Sequence, residues 1–382
     1  MRIGIVFVVL AACGVPSPAA SDAGSPTDAA TGADVSGDGA TDSAVRAAGD
    51  SAGAADGTLA DATRAPLPAG WPPAPVASQP FAKVHTYLSA RGWDGSTEDL
   101  AIHPSGSHAV LGVPGHLLRV EPSGDVTELT TTGAALDGPL GLWFDPAGVL
   151  WVADAKAKAV KTVSPAGVVA VAFATNGKGA LIQPNDLLVD GQGFVWLTDP
   201  CLGELVRWDP KTQKAEVLAT FDLKTQGGPN GVALAPSGSH VVVTTENPGL
   251  LCALGGIPID KKLGSVWRAA LGTTPLQFQA LAEGLGVFGD GCTFDAAGHL
   301  YATIDAFTLA GGITLEHSRV YGWALGAGAP VALVESKSVL YANVVFGHGA
   351  FAPGQMVLAL LTVPPFTPDE ARGLHALGWP PK

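Results

Sequence analysis

Six positions in this chain carry the residue types on which a chemical reading can be built. They are Glu98, Leu140, Asn185, Asn230, Asp290 and Asn343, spaced 42, 45, 45, 60 and 53 residues apart. Five of the six are carboxylates or amides, whose side-chain oxygens are the donors that a hard divalent cation takes up. Calcium is the expected ion, with magnesium, manganese and zinc as alternatives. Asn185-Asp186, Asn230-Gly231 and Asp290-Gly291 are each ordinary turn dipeptides when taken singly. Their common register, which Glu98 joins although glutamate is no turn former, favours one shared site.

The elements that must position these residues are repeats. One phrase returns as HPSGSHAVLG (103–112), DPAGVLWVAD (145–154), DGQGFVWLTD (190–199), APSGSHVVVTT (235–245), DAAGHLYATID (295–305) and APGQMVLALLT (352–362). Each copy reads as an apolar inner strand, a turn built on glycine, and a second strand of β-branched or aromatic residues. A third strand follows (HLLRVEP, AVKTVSP, ELVRWDP), and most copies show a fourth, such as EVLATF (216–221). Four short antiparallel strands per unit predict an all-β, six-bladed β-propeller of four-stranded blades over 80–382. No segment carries the long 3.6-residue period that a βα crossover needs. The segment FAKVHTYLSA (81–90) is expected to be a strand that completes the last blade and leaves no open edge.

Upstream of residue 80 the composition is of another kind. Residues 1–12 join one positive charge at Arg2 to a short apolar run, the form of a signal peptide and too short to span a bilayer. Leu10-Ala11-Ala12-Cys13 resembles a bacterial lipoprotein signal, which implies cleavage before Cys13 and a lipid on its thiol. Residues 13–79 are dominated by Ala, Gly, Ser, Thr, Asp and Pro. Eight Asp against two Arg between Gly14 and Pro66 supply −6 of the chain's net charge of −13. Such a segment is expected to be a disordered tether, and it makes the acidic balance uninformative about the domain's ligand. The expected location is the cell envelope, on the outer membrane, with the lipid as the only membrane contact. No basic cluster suggests nucleic acid, and the domain is expected to be a monomer. Of Cys201, Cys252 and Cys292, one pair could bridge in an oxidising compartment, or all three could be buried thiols.

The inner-strand phrases PNDLLVDGQGFVWLTDP (184–200), GPNGVALAPSG (228–238), GDGCTFDAAGHLYAT (289–303) and NVVFG (343–347) resemble one propeller family. It is the senescence marker protein/gluconolactonase/luciferin-regenerating enzyme group. The resemblance spans 95–365 and implies one divalent metal in the central channel and hydrolysis of lactones or related esters. It further implies that Glu98, Asn230 and Asp290 hold the metal, that Asp290 also acts as general base, and that Asn185 contacts substrate or metal. Sugar-lactonase members carry an arginine two residues before that asparagine, where this chain has Gln183, a departure that points away from a sugar-acid lactone.

Metal-assisted acyl hydrolysis is therefore the expected chemistry, the cation stabilising negative charge that develops on the carbonyl oxygen. Within 80–382 a serine hydrolase has no Gly-x-Ser-x-Gly elbow to support it. His116 and His348 lie near strand ends and read as surface residues, and Trp151, Trp196 and Trp267 read as packing between blades. A non-catalytic exported ligand-binding or scaffold propeller is the competing function. The segments after Glu246 and after Asp305 are expected to be irregular covers over the channel mouth.

Overall fold

The computed structural model describes residues 79–91, 93, 97–252, 254–308, 314–324, 328–351, 356–361 and 374–377. The expected signal peptide, Cys13 and all of the tether but its last residue lie outside them. Among the described residues no helix is long and apolar enough to cross a membrane.

The domain is all-β. Its strands run along the chain as successive antiparallel meanders whose first strands are Leu100–Ile102, Pro139–Phe144, Leu187–Val189, Gly228–Leu234, Phe288–Phe294 and Leu340–Phe346. The second meander gains a parallel outer strand, Thr132–Gly133. A bridge between Glu246 and Phe288 joins the fourth and fifth into one hydrogen-bonded sheet.

The repeated turn owes its form to one aspartate. Asp145 Oδ1 accepts from the backbone N–H of Ala147 and Val149, and Oδ2 from the indole of Trp151. Asp190 does the same for Gln192, Phe194 and Trp196. Asp295 holds Ala297, His299 and the Tyr301 hydroxyl. Gly148, Gly193 and Gly298, at φ of 80°, 89° and 88°, take the left-handed residue of these turns. The second-strand aromatics are thereby aimed between sheets, and Trp151, Trp196 and Trp267 are all buried.

The apolar core is divided among the interfaces between successive meanders. Leu117 of the first meander packs with Leu142 and Val152 of the second. Trp196 and Leu205 of the third pack with Val241 and Trp267 of the fourth. The series closes on itself, because Leu100, Leu111 and Leu118 of the first meander pack with Val357 and Ala359 of the last.

That closure differs from the expected one. Residues 81–90 are not a strand. Ala82–Ala90 is an α-helix whose Val84 and Leu88, four residues apart on one face, are its buried residues. The strand that completes the last sheet lies just upstream, Gln79–Pro80, pairing with Leu374–Leu377. The segment after Asp305 is also more regular than an irregular cover. Leu300–Thr308 and Thr314–Trp323 extend as one long hairpin.

Cys201 and Cys252 form a disulfide with Cα atoms 5.3 Å apart, joining the third and fourth meanders, while Cys292 is free and buried. Cys252 follows a short helix, Pro248–Leu251, capped by the Asn247 side chain. The Asn247 amide also donates to the carbonyls of Pro258 and Lys261, shaping the segment after Glu246.

Candidate metal and substrate site

The inner strands approach one another closely, and their side chains tie them together. Asp99 Oδ2 accepts from Leu142 N–H of the next meander, and Asp186 Oδ2 from Val232 N–H. Three threonines on second strands perform the same task further round. Thr198 donates to the Asn230 carbonyl and accepts from Asp186 N–H. Thr244 donates to the Asp290 carbonyl and accepts from Gly231 N–H, and Thr303 donates to Ala342. The backbones of Asn230 and Asp290 are thus clamped before any ligand is considered.

Glycines make this approach possible. A Cβ on Gly291 would overlap the amide of Asn343, and one on Gly231 would overlap the Asp290 carbonyl. The Gly291→Ala substitution is therefore expected to cost about 3 kcal/mol, read as a lower denaturation midpoint. A wild-type midpoint would show that the inner strands can part at no cost.

Glu98, Leu140, Asn185, Asn230, Asp290 and Asn343 all line one small cavity, together with Asp99, Gly141 and Asp186. Asn185, Asn230, Asp290 and Asn343 are buried, and Glu98 is partly buried. Among the described residues no three His, Cys, Asp or Glu side chains form a ready metal group. The donors around this cavity are instead mixed, the carboxylates of Glu98, Asp99, Asp186 and Asp290 with the amides of Asn185, Asn230 and Asn343. Asn230 Nδ2 donates to Glu246 Oε2 at 2.8 Å, which leaves its Oδ1 uncommitted. Asn343 Oδ1 is already taken by Val344 N–H. Asn185 Nδ2 and Gln183 Nε2 are buried without a hydrogen-bond partner. His116 and His348 lie apart from this cavity. His116 pairs with Glu128 at 2.6 Å, and His348 bonds the His103 carbonyl.

The electrostatics are one-sided. Burial raises Glu98 and Asp186 to about 7, and Glu246 and Asp305 to about 8. Asp290 rises well above the usual carboxylate range through burial first, then through repulsion from Glu98, Asp305, Glu246 and Asp186. Asp99 rises likewise, by burial and then the Asp186 charge. Among the described residues no basic side chain figures in the surroundings that set these six acids. A buried group of carboxylates without a counter-cation is costly when ionised. An oxygen-binding divalent cation would offset that cost, so the residues present fit such an ion. By contrast Asp154, at the equivalent strand end of the second meander, is neutralised by Lys161 at 2.7 Å.

Sequence reasoning passed over Glu246, Asp305 and the three threonines. The available signal was an acid late in the second strand of four repeats, Asp154, Asp199, Glu246 and Asp305, with a threonine shortly before three of them.

No family model matches this chain. A gluconolactonase of Zymomonas mobilis is 24% identical over 205 residues, 48% of this chain and 54% of the relative, so the match spans about half the relative's length. Among solved structures, a gluconolactonase from Xanthomonas campestris superposes with a TM-score of 0.56 at 18% identity, covering 80% of this chain and 97% of that one. The chain is similar to gluconolactonases in sequence and in fold. A putative gluconolactonase gives a TM-score of 0.54 at 15% identity over 80% of this chain and 92% of the other. A chain of a nidogen/laminin complex follows at 0.50 and 16% identity, covering 72% of this chain and 99% of its own length. The fold is therefore one that proteins of different kinds share.

Proposed function

We propose that this protein is a divalent-metal-dependent hydrolase of lactones or related esters, built as a six-bladed β-propeller. The observation that carries the reading is that Glu98, Asn230, Asp290 and Asn185, spread over nearly 200 residues, line one cavity. The blade count is supported by the six repeats and by core clusters that run from each meander to the next and back to the first. The similarity to gluconolactonases supports the reaction class.

Glu98, Asn230 and Asp290 would hold the ion, probed first as calcium, through two carboxylates and one amide oxygen. When bound, such an ion supplies a positive charge that polarises a carbonyl and lowers the pKa of nearby water. Asn185, whose buried amide N–H has no partner in the protein, would donate to a substrate oxygen. Asp290 is the general base, taking a proton from the attacking water. Its four carboxylate neighbours raise its proton affinity, which opposes the loss of basicity that a bound cation imposes. Gln183 stands where sugar-lactonase members have an arginine, which favours an uncharged lactone over a sugar acid.

The test is hydrolysis of a panel of lactones and aryl esters before and after chelation. Turnover should vanish with chelator and return with calcium, magnesium, manganese or zinc. Turnover that survives exhaustive chelation would overturn the metal-dependent reading. Metal binding with no turnover of any substrate would favour a non-catalytic binding propeller.

The same proposal includes export and anchoring through lipid on Cys13, supported by residues 1–13 and by the Cys201–Cys252 bond, since disulfides persist in oxidising compartments. Cys13→Ser should move the protein from the membrane to the soluble fraction. Unchanged fractionation would remove the lipid anchor from the proposal.

A further inference from the structure

Three second strands end in an acid, Asp154, Asp199 and Glu246, but these acids do not do the same work. Asp154 accepts from the backbone N–H of Asp137, Gly138 and Ala157 and pairs with Lys161. Asp199 accepts from Ile182, Gln183 and Leu202. Both are committed to shaping their own loops. Glu246 is different. It is 1% exposed, its Oε2 accepts from the Asn230 side-chain amide, and its Oε1 has no hydrogen-bond partner. It is also one methylene longer than the aspartates at equivalent strand ends, a reach of roughly 1.5 Å more.

An asparagine amide has nearly the same shape after half a turn about its last bond, so its hydrogen-bond partners decide which end faces where. The Asn230 backbone is held by Thr198, which leaves that last rotation to be settled. Glu246 Oε2 accepts from the Asn230 NH2 group, and with that end engaged Oδ1 is the end left to face the cavity.

We propose that Glu246 is a positioning residue that acts through Asn230, locking its amide so that the oxygen is presented to a cation. The inference rests on the metal reading given above. Glu246 itself does not touch the ion. Its loss frees the amide to present NH2 instead, a group no cation accepts.

Calorimetric titration of the full-length protein with calcium tests this without reference to turnover. Glu246→Leu should weaken calcium binding about 10- to 100-fold, the usual effect of losing a residue that orients a metal ligand. Glu246→Gln, which keeps an acceptor oxygen, should lose less. Because the effect passes through Asn230, the double variant Glu246→Leu/Asn230→Ala should bind no more weakly than Asn230→Ala alone. Wild-type affinity in Glu246→Leu, or losses that multiply in the double variant, would overturn the inference. Should Glu246→Leu fail to fold, the reversed pair decides the matter. Asn230→Asp sets two carboxylates against each other, and adding Glu246→Gln restores one donor between them. At least tenfold recovery of affinity is expected, and none would overturn the role. Wild-type protein that binds no calcium, magnesium, manganese or zinc would instead overturn the metal reading, and this inference with it.

Discussion

Asp290→Asn is expected to lower lactone turnover roughly 10³-fold while making the metal-free protein more heat-stable. The two effects have one origin. Asp290 is buried among Glu98, Asp305, Glu246 and Asp186, all of which repel its charge. An amide of the same shape removes that repulsion, so the apo domain gains stability. It also removes a carboxylate ligand and the proposed base, so the stabilisation that calcium gives should shrink. Thermal denaturation with and without calcium, run beside the lactone assay, checks both. A variant that is less stable without metal and keeps its activity would show that Asp290 serves the fold alone.

The second large effect is the pH dependence of the metal-free protein. Glu98 and Asp186 are raised to about 7, and Glu246 and Asp305 to about 8. Unfolded, these groups ionise in the ordinary carboxylate range, so between about pH 4 and pH 8 the native state binds more protons than the unfolded one. Their contribution is thus fully present below the unfolded values and is lost as pH rises through the folded ones. Each such group contributes up to about 1.4 kcal/mol of loss per pH unit. The melting temperature of chelated protein should fall on the order of 10 °C between pH 5 and pH 8. Asp125, Asp209, Asp222 and Glu335 are lowered, so their opposite effect falls below the ordinary carboxylate range. With saturating calcium the slope should flatten, because the ionised carboxylates are then paired. A chelated protein whose stability rises from pH 5 to pH 8 would contradict the one-sided electrostatics of the cavity.

Much of the repeat was legible because its turn is chemically explicit. An aspartate caps the turn, a glycine takes the left-handed position, and an aromatic residue follows at a fixed distance. Asp145, Asp190 and Asp295 all realise that pattern. Once the repeats were aligned, a common register followed, and its six positions line a single cavity. What could not be read was any feature that depends on partners from another repeat. A threonine in a strand is unremarkable as sequence, and nothing in VWLTD says that Thr198 reaches the Asn230 carbonyl. Glu246 resembles Asp154 and Asp199 until its hydrogen bonds are seen. Closing the last sheet calls for one strand from the start of the domain, and Gln79–Pro80 provides it, so Ala82–Ala90 is free to be a helix. Three cysteines admit three pairings, and only the approach of two positions 51 residues apart selects Cys201 with Cys252.

The pairing of Gln79 with Ala376 and of Pro80 with His375 has a consequence for the order of events during synthesis. Every other meander is built from neighbouring stretches of chain and can form as it emerges. The last sheet alone recruits the beginning of the domain to its end, the contact of greatest sequence separation and of greatest loop-closure entropy. Until residues 374–377 leave the ribosome, Gln79–Pro80 has no strand to join, and the edge of Met356–Leu361 stays unpaired. That interval exposes a sheet edge to neighbouring chains. Chains halted shortly before residue 374 should therefore be more prone to aggregate than chains only a few residues longer.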